Sequence, residues 1–334
     1  MTVPRMRLAV ALSVVAVAAL AVAAASPHLL QNRVAAGLGA LGGASPHWLG
    51  LAGIGFVLAF ACTVGAWRAA LAAAGGTICS RQAAARLGVG ALVNSVAPAK
   101  LGDAMKIALC ARAIDEPERL WTTGGVYAAL AAARALALAA LVVAASATGA
   151  LPLWPVFALC GAVGALAAVA AFSSRWRLHP RIACLLDGFA ALERSPRALS
   201  AVLGWTFAMA GARLAATAAV TLALGLPHPL LAALVVMPVL DLAGILPITP
   251  GGFGISTGAV AMALASRGIS GSQALGVGIA MQAVETLVSL VVGGLGTLYL
   301  LQPRVTKRWT LRLASAFVSV GFAFALSAAV LDLM

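Results

Sequence analysis

Long apolar runs separated by short polar stretches dominate the chain. Seven reach or approach the roughly 20 residues that a helix needs to cross a bilayer. They are Leu8–Ala25, Trp48–Ala66, Leu120–Ala145, Leu153–Phe172, Leu199–Leu224, Ala274–Leu301 and Leu313–Leu331. Two further apolar stretches are interrupted: Leu87–Ala113 at Asn94–Gly102, and Leu230–Ser266 at Pro247–Gly254. Nothing reads as the roughly ten-residue alternating strands of an outer-membrane barrel. The pattern predicts an all-α polytopic bundle of about seven full spans plus two broken or re-entrant hairpins, in one membrane domain over 1–334. The first run also resembles a signal peptide, because Arg5 and Arg7 precede it and Ala23-Ala24-Ala25-Ser26 follows. With so many spans behind it, an uncleaved first span is the expectation.

Composition supports this reading. Of 334 residues, 63% are hydrophobic and 9% charged, against about 25% charged in a soluble domain. The apolar bulk is mostly Ala, Leu, Val and Gly, and small residues let membrane helices approach closely. The five cysteines form no C-x-x-C, so packing is expected of them rather than metal or redox chemistry. His28, His47, His179 and His228 fall near span ends and are expected at the interface.

The net charge of +13 would suggest nucleic acid in a soluble domain. Here the basic residues lie between apolar runs, where they set topology, and nucleic acid is excluded as a partner. With the N-terminus inside, cytoplasmic loops hold eighteen of the 22 Lys and Arg, and outside loops only Arg33 and Arg267. The expected location is the bacterial cytoplasmic membrane, multi-pass, N-terminus inside and C-terminus outside. Leu87–Ala113 then enters from the cytoplasm and returns there, whereas Leu230–Ser266 enters from outside.

The breaks carry the chemistry. The first runs Asn94-Ser-Val-Ala-Pro98-Ala-Lys100-Leu-Gly102-Asp103-Ala-Met-Lys106; the second includes Pro247, Pro250-Gly251-Gly252, Gly254 and Ser256-Thr257. Proline removes a backbone donor and glycine weakens a helix. Non-helical backbone at membrane depth persists only where protein or a water-filled cavity surrounds it. A new helix follows each break, with Asp103 a candidate N-cap for one and Ser256 or Thr257 for the other. Such N-termini suit an anion, and Lys100 and Lys106 flank the first. Paired interrupted segments in two halves point to a transporter site at an inverted-repeat interface. The other reading is a pair of ordinary Pro/Gly loops. Expected binding residues are Asn94, Pro98, Lys100, Gly102, Asp103, Lys106, Pro250, Gly251, Gly252, Gly254, Ser256 and Thr257.

These motifs resemble those of the lysylphosphatidylglycerol synthase transmembrane-region family. Pro98-x-Lys100-x-Gly102-Asp103-x-x-Lys106 is similar to its P-x-R-x-G-[DE]-x-x-R region. Leu246-Pro247-x-x-Pro250-Gly251-Gly252-Phe253-Gly254 is similar to its second signature. The family includes the flippase half of the multiple peptide resistance factor, which moves aminoacylated phosphatidylglycerol across the bacterial membrane. The resemblance implies an all-helical bundle with re-entrant segments. Three departures stand out. Ser256-Thr257 occupy the place of a usual Glu, lysines replace the usual arginines, and Gln282 and Glu285 lie in a span where the family often has Arg. No aminoacyltransferase domain accompanies the spans, so a stand-alone member is expected.

Four charges, Arg134, Arg213, Asp241 and Glu285, lie inside apolar runs. Each costs about 2.5–3.5 kcal/mol at the bilayer centre on insertion scales, so pairing or a cavity is expected. They read equally as structural ion pairs or as a substrate path. No D-x-D pair, H-E-x-x-H or Ser/His/Asp set is found, so no catalytic residue, metal or cofactor is assigned. The leading function is a flippase-like transporter of an anionic phospholipid, aminoacyl-lipid or polyprenyl-phosphate-linked lipid. Its partner is a membrane lipid with an anionic headgroup, with a link to a separate lipid-modifying enzyme. A membrane-embedded lipid-modifying transferase and a small-solute carrier are the alternatives.

Overall fold

The computed structural model describes residues 42–96, 101–114, 119–149, 190–192, 194–244 and 254–301. The expected spans Leu8–Ala25, Leu153–Phe172 and Leu313–Leu331 lie outside them, as do Pro98, Lys100, Pro250, Gly251 and Gly252. Among the described residues there are helices and no strand. They are α1 (Pro46–Ala73), α2 (Ser80–Val96), α3 (Leu101–Cys110), α4 (Arg119–Ala147), α5 (Pro196–Ala223), α6 (Pro229–Ala243), α7 (Ile255–Ala265) and α8 (Gly271–Leu301); a single 3-10 turn, Ala111–Ala113, follows α3. Helices α1, α4, α5 and α8 are long and apolar enough to span a membrane. At 1.5 Å per residue, the 28 residues of α1 extend about 42 Å, enough to cross a hydrocarbon core of about 30 Å at a tilt. The protein is an all-α, multi-pass membrane bundle.

The helices fall into two series of the same form: long helix, broken pair, long helix. The first is α1, α2–α3, α4; the second is α5, α6–α7, α8. Sequence explains the match. Ser45 and Ser195 precede α1 and α5, Pro46 and Pro196 open them, and Gly75 and Gly225 follow their ends, each pair 150 residues apart. Proline suits the first helical position because its missing N–H has no intrahelical acceptor there. Both glycines have positive φ, 79° and 67°, the left-handed conformation that closes a helix without a Cβ clash. Ser195 also caps α5, its Oγ accepting from the Ala198 N–H at 3.4 Å.

Packing follows the same two-fold pattern. Helices α1 and α5 pair most extensively and run antiparallel. Ser45 N–H donates to Ala223 O, Gly55 faces Ala212 and Ala216, and Gly65 faces the Trp205 ring. Helix α2 lies against α8, where Gly88 meets the Val292 backbone and Gly296 meets Ala85; its counterpart α6 lies against α4. Small residues at these crossings let backbones approach, which stabilises helix pairs where lipid supplies no hydrophobic drive. One apolar core, around Trp67, Leu71, Leu87, Ile114 and Leu130, lies under the first hairpin. A second, around Phe56, Val220, Val236, Leu264 and Met281, lies under the other. Ile54, Leu136, Met262, Leu287 and Leu295 are exposed and form the face toward lipid tails.

The ends of the bundle differ in charge. The end of α1 and the starts of α2, α4 and α5 carry Arg68, Arg81, Arg119, Arg194 and Arg197. At the opposite end Arg267 donates to Gly149 O at 3.0 Å and Gln273 donates to Leu224 O at 3.2 Å. Arg86, read from sequence as a loop charge, is instead inside α2. That helix starts at Ser80, seven residues ahead of the apolar run, because helix geometry extends through polar positions at the interface.

Candidate functional site: a charged centre between two broken hairpins

The first break is narrower than its motif. Helix α2 runs through Asn94 to Val96, and α3 begins at Leu101. The two helices close on glycines: a Cβ on either Gly90 or Gly102 would overlap its neighbours, so backbone meets backbone there. This contact brings Asn94 and Asp103 together. Asp103 is therefore not an N-cap. It is the third residue of α3, and its carboxylate turns sideways to three donors. Asn94 Nδ2 and Lys106 Nζ donate to Oδ1 at 2.9 and 2.8 Å, and Tyr127 Oη of α4 donates to Oδ2 at 2.9 Å. A carboxylate so surrounded is well satisfied, and Lys106 is engaged within its own helix. Asn94 Oδ1 and Arg86 Nη1 are buried without a hydrogen-bond partner among the described residues.

The second break behaves similarly. Asp241 is two residues before the end of α6, and Gly254 takes the position before α7 at φ 89°. Ser256 and Thr257 are thus the second and third residues of α7, buried and without a capping hydrogen bond. The expected caps give way because only glycine adopts that φ freely, which moves the helix start ahead of both hydroxyls. Thr257 packs against Gly278 of α8 instead.

At the second hairpin stands an ion cluster. Arg213, midway along α5, places Nη1 at 2.8 Å from Asp241 Oδ1 and Nη2 at 3.6 Å from Glu285 Oε1 of α8. Asp241 and Glu285 side chains are 31% and 41% exposed, so the cluster is partly open. Arg134 of α4 lies within electrostatic reach of Arg213, Tyr127, Asp103 and Asp241. An apolar cleft of about 340 Å³ opens on the lipid-facing side between Gly53, Ile54 and Val57 of α1 and Leu287, Val288 and Val291 of α8. Glu285 stands one turn before Val288 on the same face of α8.

Thus Asn94, Gly102, Asp103 and Lys106 converge in one network, and Arg213, Asp241 and Glu285 in another. Ser256 and Thr257 pack at the α7–α8 contact. Sequence reasoning missed Tyr127, although it is one of two tyrosines in the chain and its hydroxyl needs a partner in an apolar span. Asp241 and Glu285 share an arginine, and among the described residues no three His, Cys, Asp or Glu side chains stand together as a metal site.

A search of curated proteins gives no match. The family model described as "Lysylphosphatidylglycerol synthase TM region" matches residues 6–293. With most of its length matched, the chain belongs to the lysylphosphatidylglycerol synthase transmembrane-region family, a membrane domain related to lipid flippases.

Proposed function

We propose that this protein moves a phosphate-bearing lipid across the bacterial cytoplasmic membrane as a flippase-like transporter. The observation that carries the reading is a pair of oppositely placed broken hairpins that each hold charge, the first through the Asp103 network and the second through Asp241 of the partly exposed Arg213 cluster. Charged groups inside a membrane protein cost free energy and are retained where a polar substrate passes or where they pair. This charged centre has pairs, partial exposure and, one turn along α8 from Glu285, an apolar cleft. The headgroup enters the centre while the tails remain in the bilayer, with the cleft of α1 and α8 receiving an acyl chain. Rocking of one half against the other exposes the centre to each side in turn.

The lipid is an anionic phospholipid, an aminoacyl-lipid or a polyprenyl-phosphate-linked lipid, and a separate enzyme modifies it. In this reading the arginine-rich end faces the cytoplasm, as the positive-inside rule favours, with the N-terminus inside and the C-terminus outside. The test is reconstitution into vesicles with a headgroup-labelled phosphatidylglycerol and a membrane-impermeant quencher. Protein-dependent loss of the protected inner pool supports the reading. No lipid movement, together with uptake of a soluble anion by the same vesicles, contradicts it and favours a small-solute carrier.

A further inference from the structure

Among the described residues, the three cations at the centre are not equivalent. Lys106 holds Asp103 at 2.8 Å, and Arg213 holds Asp241 at 2.8 Å with Glu285 at 3.6 Å. Arg134 makes no ion pair or hydrogen bond among the described residues, and its side chain is exposed. Its position is nonetheless central. Helix α4 packs against α3, α5 and α6, so it touches both broken hairpins. Arg134 is the sixteenth residue of α4 and Glu285 the fifteenth of α8, so the two helices that close the two halves place opposite charges at nearly equivalent heights.

We propose that Arg134 is the seat of the substrate's phosphate. The inference rests on the lipid-transport reading and refines it, because the sequence alone pointed to Lys100 and Lys106. Lys106 already has an acceptor, and a phosphate arriving there must compete with Asp103. Arg213 is held by two carboxylates, which repel a phosphate. The guanidinium of Arg134 offers five donors in a planar fork that matches two phosphate oxygens, in surroundings where an unpaired cation gains most from an anion. It stands midway along the helix that packs against both broken hairpins.

The test is lipid retention by purified protein, read by native mass spectrometry, with dioleoylphosphatidylglycerol competing against dioleoylglycerol, which has the tails without the phosphate. Wild type, Arg134→Gln, Arg134→Lys and the end-face control Arg68→Gln are compared, with melting curves for each. Wild type and Arg68→Gln are expected to retain the phosphate-bearing lipid selectively. Arg134→Gln is expected to lose that selectivity about tenfold, and Arg134→Lys a smaller part of it, because lysine keeps the charge and loses the fork. A folded Arg134→Gln with wild-type selectivity overturns the proposal. If Arg134→Gln does not fold, Arg134→Lys decides: unchanged selectivity overturns it. Displacement of lipid by excess inorganic phosphate but not by phosphatidylglycerol assigns the seat to a free anion and overturns its lipid role. A wild type without selectivity that still moves lipid in vesicles removes the Arg134 seat and leaves the transport reading standing. A wild type that neither selects nor moves lipid removes both.

Discussion

Arg213 faces two carboxylates at unequal distances, and the inequality makes a quantitative prediction. Its hydrogen bond to Asp241 is 2.8 Å long, whereas Glu285 stands at 3.6 Å with 41% of its side chain exposed. A hydrogen bond to a charged group contributes about 1.5–3 kcal/mol, and measured couplings between membrane helices reach about 1.7 kcal/mol. The expected coupling between Arg213 and Asp241 is therefore about 1.5 kcal/mol. The longer and more exposed contact to Glu285 is screened and expected at about 0.5 kcal/mol. Arg213→Gln leaves both carboxylates without their cation and is expected to cost about 2–3 kcal/mol, reduced from a fully buried pair because open space hydrates them. The assay is denaturant unfolding in detergent micelles of Arg213→Gln, Asp241→Asn, Glu285→Gln and the two double variants. Coupling to Glu285 equal to or larger than coupling to Asp241 would refute the geometry on which this ordering rests.

Gly102→Ala is expected to destabilise by about 1–3 kcal/mol through overpacking, because its Cβ would overlap the Gly90 carbonyl and Asn94; Gly124→Ala, which meets open space, is the neutral comparison in the same melts. Tyr127→Phe removes one of three donors from Asp103 and is expected to cost about 1 kcal/mol while the helical circular dichroism stays unchanged; a neutral result shows that the hydroxyl is dispensable. Single cysteines replacing Arg68 and Arg267, in a background where the native cysteines are serine, are expected to label from opposite sides of intact cells, Arg68→Cys only from the cytoplasm. Labelling of both from one side sinks the assigned sidedness.

Much of the bundle was legible because bilayer thickness imposes a length and an apolar composition that sequence displays directly. Expected Trp48–Ala66 and Leu120–Ala145 became Pro46–Ala73 and Arg119–Ala147, longer because helices continue into the interface. The breaks were legible from proline and glycine. What each side chain does at a break was not. Asp103 reads as a cap because a new helix follows the break, yet it is already inside α3 and its carboxylate accepts from Tyr127, 24 residues away. The pairing of Arg213 with Asp241 spans 28 residues, and charge signs alone left four residues to be matched. The two-fold relation was present in the sequence as Ser-Pro before α1 and α5 and glycine after them, but so few residues stand out only once helix ends are known.

The central claim is that a lipid headgroup occupies the charged centre between the halves. It is tested most directly with a phosphatidylglycerol carrying a photoreactive diazirine on its headgroup, photolysed in reconstituted membranes, with adducts mapped by mass spectrometry. The account predicts adducts on centre-facing segments of α3, α4 and α5, around Lys106, Tyr127, Arg134 and Arg213, reduced by excess unlabelled phosphatidylglycerol. Adducts confined to the lipid-facing exterior, such as Met262 and Leu295, would contradict it.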